Sequence, residues 1–164
     1  MTEMLEKTER DYEGGHDRPL KGYLGLLSAY GGTVAVAAVA AVWAGRKAPD
    51  EIGTMDLLLM AACTHKVSRR LAKDPVTSPL RAPFTRYEGQ AGPSEVQEKP
   101  RGAIGELLAC PFCLAQWVAT GYAAGLVFAP KATRLVGATM TAVAISDWLQ
   151  LAYAKLMKSA GESD

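Results

Sequence analysis

Apolar residues along this chain are concentrated in long stretches that are separated by polar segments. The first stretch, residues 22–45, has no charged side chain, and Lys21 and Arg46 flank it. A helix of about 20 predominantly apolar residues crosses the ~30 Å hydrocarbon core of a bilayer. The pattern therefore predicts a first membrane-spanning helix over residues 22–45.

Two further apolar stretches of similar length lie nearer the C-terminus. Residues 105–130 contain one charged side chain, Glu106, at their start, and residues 135–156 contain one acid, Asp147. Both stretches are predicted to span the membrane. An ionisable residue within a membrane helix usually faces the protein interior or a water-filled cavity. We therefore expect Glu106 and Asp147 to be buried polar residues.

Residues 54–73 are harder to place, because their uncharged core, Leu57 to Thr64, is too short to cross a bilayer by itself. The remainder has apolar and basic side chains on different faces of a helix. Such a helix crosses a membrane when its long cations extend to the interface and its polar face turns inward. A re-entrant or interfacial helix is the alternative. Its one acid, Asp56, is a further candidate buried polar residue.

Residues 74–104 form a polar connection with too many prolines for a continuous helix. Proline fixes its own φ and drives the preceding residue toward extended backbone, so we predict an extended loop. In its first half apolar side chains alternate with Arg81 and Arg86, which favours docking against the bundle, whereas the second half resembles a linker. The prolines are Pro75, Pro79, Pro83, Pro93 and Pro100.

Basic residues are distributed unevenly around the predicted spans. The connection at 74–104, with the end of the preceding helix, holds eight Lys or Arg side chains, whereas the two short connections hold four. The positive-inside rule therefore places the long loop and both termini in the cytoplasm. The N-terminal tail is acidic at its start and lacks the pattern of a cleavable signal peptide.

These elements predict an all-α fold, a multi-pass membrane protein with about four transmembrane helices and a long Pro/Arg-rich cytoplasmic loop. A single membrane-embedded domain occupies residues 22–157, between polar tails at 1–21 and 158–164. The lipid bilayer is the expected partner. Lys and Arg number 18 against 17 Asp and Glu, and this balance argues against nucleic acid.

The scattered Cys, His and Asp side chains share a similar depth in this topology. His65 on the second segment, Cys110 on the third and Asp147 on the fourth all lie near the cytoplasmic side. Two cysteines three residues apart match the spacing of many zinc ligands. Cys110 and Cys113, with His65 and either Cys63 or Asp147, therefore form a candidate zinc site.

The cysteine pair has two other interpretations. Pro111 suits the first position of a helix, which would leave Cys110 at the N-cap, where the helix dipole favours a reactive thiolate. Cys110 and Cys113 are then candidate redox residues, although a membrane disulfide oxidoreductase normally relays electrons through a second dithiol. Alternatively, both cysteines pack as small buried residues and Pro111 kinks the helix.

Other polar residues suggest further sites. Four arginines, Arg69, Arg70, Arg81 and Arg86, would suit a phosphate or lipid-headgroup site. The alternative is that they serve only as topology signals and general contacts with anionic lipid. Asp147 could equally pair with Arg69 as a structural bridge. A proton path through Asp56, His65 and Asp147 would indicate a small transporter.

Several motifs resemble a known family. They are ThrHisLysValSerArg at Thr64–Arg69, the Pro/Arg segment Lys73–Thr85, GluLysProArgGly at Glu98–Gly102, and the CysProPheCys segment Gly105–Trp117. In this order they are similar to a family of small bacterial membrane proteins, the domain of unknown function numbered 1360. The resemblance implies a multi-pass protein of the bacterial cytoplasmic membrane, and similar proteins in spore formers are described as sporulation-associated. It implies no activity.

The function favoured by the sequence is a structural or interaction component rather than an enzyme. Its loop at 75–104 would dock another membrane or cytoplasmic protein. A thiol-redox or zinc-dependent protein using Cys110, Cys113 and His65 is the alternative. A small transporter or proton-path protein is a third possibility.

Overall fold

The computed structural model describes residues 18–161 together with Thr8, Asp11 and Tyr12. Most of the predicted N-terminal tail at 1–21 lies outside the described residues, as do the last three residues of the C-terminal tail. The helices are α1 (Leu20–Trp43), α2 (Thr54–Lys73), α3 (Ser78–Arg81), α4 (Gly102–Ala109), α5 (Pro111–Phe128) and α6 (Pro130–Gly161). A 3-10 turn, Pro75–Thr77, precedes α3, and the strands β1 (Thr85–Gly92) and β2 (Glu95–Pro100) follow it.

Three helices, α1, α5 and α6, are long and apolar enough to cross a membrane. This result confirms a mostly helical chain with three candidate membrane-spanning helices. Helix α2 has a comparable length of 20 residues, but it carries five charged side chains. Its role in the membrane therefore depends on how it packs.

Helix α2 packs against both α5 and α6. The centre of this three-helix contact is a buried cluster of Cys63, Tyr122 and Leu126. Gly137 on α6 allows the close approach, because a Cβ atom there would overlap the Tyr122 ring. In contrast, α1 contacts mainly α4 and α5, and none of its residues is buried.

Side-chain pairs show the relative direction of the helices. Asp56 and Arg134 pair near the starts of α2 and α6, and Lys66 pairs with Asp147 further along both helices. Helices α2 and α6 therefore run in the same direction. Likewise, α1 runs parallel to the α4–α5 segment, because Tyr23 contacts Glu106 and Tyr30 contacts Thr120.

The predicted helix boundaries shift at glycine and proline. Helix α1 ends at Trp43, two residues before the predicted 45, and Gly45 follows with a φ of 62°, which glycine adopts readily. The predicted span 105–130 is divided in two, because Cys110 is extended (φ −104°, ψ 107°) before Pro111 begins α5. Helix α6 extends beyond the predicted 135–156, since Pro130 is already its first residue.

The largest departure from prediction lies in residues 74–104. The half expected to be a linker is an antiparallel β-hairpin, in which Tyr87 pairs with Glu98 and Gly92 with Glu95. The hairpin has an irregularity beside Gly89, whose φ of 152° suits glycine. Strand β2 packs against α4 and α2, so the hairpin belongs to the folded body. Residues 75–104 are called the cap below.

Candidate functional site

The cap is held by one buried arginine. The Arg81 side chain is 1% exposed, and it forms a bidentate ion pair with Glu98, whose side chain is 5% exposed. Arg81 Nε donates to Glu98 Oε2 at 2.9 Å, and Nη2 donates to Oε1 at 3.0 Å. Its Nη1 donates to the Leu71 carbonyl at 2.6 Å, which attaches the cap to the end of α2. Arg81 therefore joins three segments of the chain.

Arg81 and Glu98 form further hydrogen bonds within this cluster. Arg81 also donates to the Asp74 carbonyl and to the hydroxyls of Thr77 and Ser78. Ser78 and Thr85 donate to the two Glu98 carboxylate oxygens, at 3.0 and 2.9 Å. The Arg81 guanidinium beside Glu98 is the main reason that the pKa of this carboxyl lies below its usual range.

This geometry assigns Arg81 a structural position instead of the phosphate-binding position that the sequence suggested. All of its nitrogen atoms donate to internal acceptors. The other three candidate arginines lie elsewhere. Arg69 pairs with Glu95 at the hairpin turn, Arg70 pairs with Asp74 at 3.4 Å, and Arg86 is exposed on β1. The structure thus gives Arg69, Arg70 and Arg81 separate acidic partners, although Arg70 and Arg81 contact different atoms of Asp74.

Arg69 and Arg70 line an open groove of about 770 Å³ between α2, the hairpin turn and α6. His65 and Lys66 extend the same wall, and Asp147 and Trp148 lie on the opposite wall. The His65 and Trp148 rings are 6.1 Å apart between centroids. We refer to this feature as the α2–α6 groove.

The cysteine pair occupies the first turn of α5. Cys110 is the N-cap residue, and its sulfur accepts a hydrogen bond from the Cys113 backbone N–H at 3.2 Å. The Cys113 thiol donates to the same sulfur at 2.6 Å. Both are free cysteines, and Cys113 is exposed. This matches the predicted N-cap arrangement and differs from simple buried packing.

The predicted metal cluster does not form. Cys63 packs against Tyr122, which lies nine residues after Cys113 and so roughly 13 Å further along α5. His65 faces Trp148 of α6, and the Asp147 carboxylate pairs with Lys66. Within residues 18–161, no group of three His, Cys, Asp or Glu side chains is placed to hold a metal ion. The thiol pair therefore lacks the additional zinc ligands expected from this chain.

The acidic candidates are all engaged by partners that the sequence did not reveal. Asp147 pairs with Lys66 instead of Arg69. Asp56 accepts two hydrogen bonds from Arg134, at 2.8 and 2.9 Å. Glu106 accepts a hydrogen bond from Tyr23 at 2.5 Å, with Arg18 4.0 Å away.

The region between the two α2–α6 ion pairs contains hydroxyl groups. Thr64, Tyr122 and Thr141 have buried oxygen atoms without a hydrogen-bond partner among the described residues. They supply polar groups along the proposed proton path, where the sequence offered few. The groove that reaches His65 does not include Asp56 among its lining residues.

Sequence reasoning missed Glu98 and Lys66. Glu98 lies in the GluLysProArgGly motif, but its partner Arg81 is 17 residues away across a segment interpreted as loop and linker. Lys66 was interpreted as part of a basic stripe, since its partner Asp147 is 81 residues away. One signal was available in the sequence. A charged side chain that becomes buried needs a partner of opposite charge, and the segments that hold Glu98 and Lys66 each contain charged side chains.

Comparison with known proteins identifies the family. No curated protein and no solved structure matches the chain. The family model described as protein of unknown function (DUF1360) matches residues 58–153, which is more than half of the chain. The match includes nearly all of α2, the cap, the cysteine pair and most of α6. The chain therefore belongs to the DUF1360 family of proteins of unknown function.

Proposed function

We propose that this protein is a non-enzymatic interaction component of the bacterial cytoplasmic membrane. In this proposal α1, α2, α5 and α6 cross the bilayer, both termini are cytoplasmic, and the cap docks another protein. The observation that carries the proposal is the buried Arg81–Glu98 pair, which makes the cap a fixed surface on the end of α2.

The packing of α2 supports its assignment as a fourth span. Its 20 residues measure about 30 Å, the thickness of the hydrocarbon core. The Asp56 and Lys66 side chains are each 15% exposed and face ion-pair partners on α6, so their charges are turned away from lipid. A helix with paired charges can cross where an isolated helix of the same sequence would not.

The distribution of basic residues supports the cytoplasmic placement of the cap. The cap and the adjoining end of α2 contain eight of the 18 Lys and Arg residues. Chain segments with this excess are retained on the cytoplasmic side. Docking from the cytoplasm follows from this orientation.

Exposed apolar side chains on the cap supply the docking surface. Val76, Leu80 and Tyr87 are 84%, 64% and 63% exposed, although the segment that carries them is anchored by a buried ion pair. Apolar groups held on a rigid support lose little conformational entropy on binding, and this preorganisation favours a protein partner. Arg86 on the same strand adds a cation to the surface.

Site-specific photo-crosslinking in membranes of the native host tests the proposal. A benzoyl-phenylalanine at Leu80 or Tyr87 is expected to give the same protein adduct, and the adduct should disappear in an Arg81→Met background. The matched control is Val36 on α1, which is 69% exposed but lies in a predicted span. Adducts with lipid alone at the cap positions, or the same protein adduct at Val36, would contradict cap docking.

A thiol–disulfide exchange activity is a second candidate, because two sulfur atoms 2.6 Å apart lie at a helix N-terminus. Cys110, whose sulfur accepts both hydrogen bonds, would lose its proton, attack a disulfide of a partner protein and displace one sulfur. Cys113 would lose its proton and attack the Cys110 sulfur, releasing the second. Two electrons pass to the partner, which leaves as a dithiol after taking up two protons, and a Cys110–Cys113 disulfide remains.

Trapping distinguishes this activity from docking. The Cys113→Ser variant is expected to accumulate a reductant-sensitive mixed disulfide through Cys110, whereas Cys110→Ser should not. Cys63→Ser is the control, because Cys63 is 3% exposed and should leave the adduct pattern of the native chain unchanged. Absence of an adduct in Cys113→Ser under oxidising conditions would rule out exchange by this pair.

A further inference from the structure

The α2–α6 groove combines charged and apolar walls. Its α2 side carries His65, Lys66, Arg69 and Arg70, and Asp74 follows at the end of the helix. Its α6 side carries Asp147, and the hairpin turn contributes Glu95. The groove therefore presents acids and bases on facing elements.

The charges in the groove balance. Each cation has an acidic partner, in the pairs Lys66–Asp147, Arg69–Glu95 and Arg70–Asp74. Three positive and three negative side chains give no net charge with His65 neutral. A purely anionic ligand would therefore gain little from long-range attraction. A ligand that carries both charges would find a complementary group for each.

Several of these charged groups are still accessible. The side chains of Arg69, Arg70 and Asp147 are 42%, 50% and 43% exposed. The contact between Arg70 Nε and Asp74 Oδ2 is 3.4 Å long. The guanidinium groups and the Asp147 carboxylate can thus accept a further partner without losing their present ones.

The outer edge of the groove is apolar. Trp148 and Leu151 on α6 are 53% and 60% exposed. Trp148 is 18 residues from the start of α6 at Pro130, and this separation corresponds to about 27 Å along a helix. In a bilayer with a ~30 Å core, that distance places Trp148 at the inner headgroup level, where tryptophan is enriched.

The geometry points to a binding site for the headgroup of a zwitterionic, amine-bearing phospholipid of the cytoplasmic leaflet. The phosphate lies against Arg69 and Arg70, and the ammonium donates to the Asp147 carboxylate. The acyl chains leave along Trp148 and Leu151. The inference rests on the proposed four-span arrangement for its depth, whereas the charge pattern of the groove is independent of partner docking.

Native mass spectrometry of the full-length protein in detergent tests the site. Phosphatidylethanolamine, phosphatidylcholine and phosphatidylglycerol are added singly at equal concentration. We expect phosphatidylethanolamine to bind about tenfold more tightly than phosphatidylcholine, whose methylated ammonium cannot donate a hydrogen bond to a carboxylate. Equal binding of these two lipids, or tighter binding of phosphatidylglycerol, overturns the proposal.

Inorganic phosphate separates a lipid site from a free-ion site. Because the apolar edge contributes to lipid binding, millimolar phosphate is expected to leave bound phosphatidylethanolamine in place. Displacement by phosphate at that concentration would assign the groove to a soluble anion and overturn the lipid assignment.

Two variants and one control locate the site. Asp147→Asn frees Lys66 from its acidic partner, so we expect the preference to change from phosphatidylethanolamine to phosphatidylglycerol. Arg70→Gln should weaken binding of all three lipids about tenfold, since it removes a charge-assisted contact with phosphate. Arg86→Gln, which lies outside the groove, should bind like the native chain.

Folding of each variant is checked by its helix content and its elution as a single species. If Asp147→Asn does not fold, the Arg70→Gln variant provides the test. Lipid affinities equal to those of the native chain in a folded Arg70→Gln variant would overturn the proposed site. Lipid selectivity without a cap crosslink would leave this site intact and remove the docking function. A cap crosslink without lipid selectivity would leave the docking function intact and remove the lipid site.

Discussion

Arg81 is the side chain on which the arrangement of the cap depends. It places a charge where 1% of its surface is exposed, and six hydrogen bonds compensate for the lost hydration. Two of these acceptors are the oxygens of Glu98, and the others lie at the end of α2, on the segment before α3 and on Ser78, the first residue of α3. One residue thereby connects strand β2 to the end of α2.

Removing one member of this pair should be costly. We expect Glu98→Gln and Arg81→Met each to destabilise the cap by about 3–5 kcal/mol, because each leaves a buried group without its charged partner. The measurement is limited proteolysis of the cap at residues 85–100, together with thermal unfolding in detergent. Arg86→Met is the matched control, since Arg86 is exposed on β1. Equal protease resistance in Arg81→Met and Arg86→Met would contradict the structural role of Arg81.

Acid should release the cap through Glu98. The folded-state pKa of this carboxyl is lowered by Arg81, whereas an unfolded Glu has a pKa of about 4.3. The ion pair therefore contributes its full stability above about pH 4.3 and loses it as the pH falls through the lowered folded-state value. Proteolysis with an acid-active protease across this range checks the prediction. The Glu98→Gln variant should lose this part of the pH dependence, and an unchanged profile would refute the assignment.

At the scale of elements, short helix α4 connects the cap to the bundle by close backbone contact. It packs against β2, α1 and α5, and Gly105 faces the carbonyl oxygen of Phe84. A Cβ atom at Gly105 would overlap that backbone oxygen, which cannot move as a flexible side chain does. The helix ends where Pro111 forces Cys110 into extended backbone, and this break places the thiol pair at a new helix start.

Two glycine substitutions should therefore differ in their effect on the stability of the protein. Gly105→Ala is expected to destabilise the protein by about 1–3 kcal/mol through overpacking against Phe84. Gly121→Ala on α5 has nothing within 4 Å of its added Cβ, so it should be neutral or stabilise the helix by up to about 1 kcal/mol. Thermal unfolding of both variants in the same detergent measures the difference. A Gly105→Ala variant as stable as Gly121→Ala would exclude the close contact.

At the scale of the whole molecule, the ion pairs give α2 and α6 a common direction and depth. Asp56–Arg134 lies near the starts of both helices, and Lys66–Asp147 lies ten residues further along α2 and thirteen residues further along α6. Helix α1 is attached less closely, since it has no buried residue. The expected consequence is a bundle in which α2 crosses beside α6, with the cap on one side of the membrane.

Cysteine labelling measures that orientation. In a chain whose native cysteines are replaced by Ser, Ser94→Cys on the hairpin turn should resist a membrane-impermeant maleimide in intact cells and react after lysis. Asp50→Cys, between α1 and α2, should react in intact cells. Labelling of Ser94→Cys from outside would reverse the topology, and labelling of both positions from one side would show that α2 does not cross.

Particular segments of the sequence were sufficient to predict their own structure. Residues 22–45 and 135–156 are recognisable as helices because predominantly apolar runs of this length have few other stable conformations in a bilayer. The N-cap position of Cys110 followed from the effect of Pro111 on its neighbours. The sequence could not show which of the four candidate arginines has a structural role. Whether Arg81 binds a ligand or pairs with Glu98 depends on a contact with a residue 17 positions away.

The sequence by itself thus determined the mostly helical class, the presence of helices apolar enough to cross a membrane, and the family, since hydropathy, proline effects and motif order are local properties of the chain. Tertiary structure decided which charges are paired, that the supposed linker is part of a hairpin over residues 85–100, and that the cysteine pair stands apart from His65 and Asp147. The physical reason is that pairing energy depends on distance and burial. Neither quantity is fixed until α2, α6 and the cap have packed together.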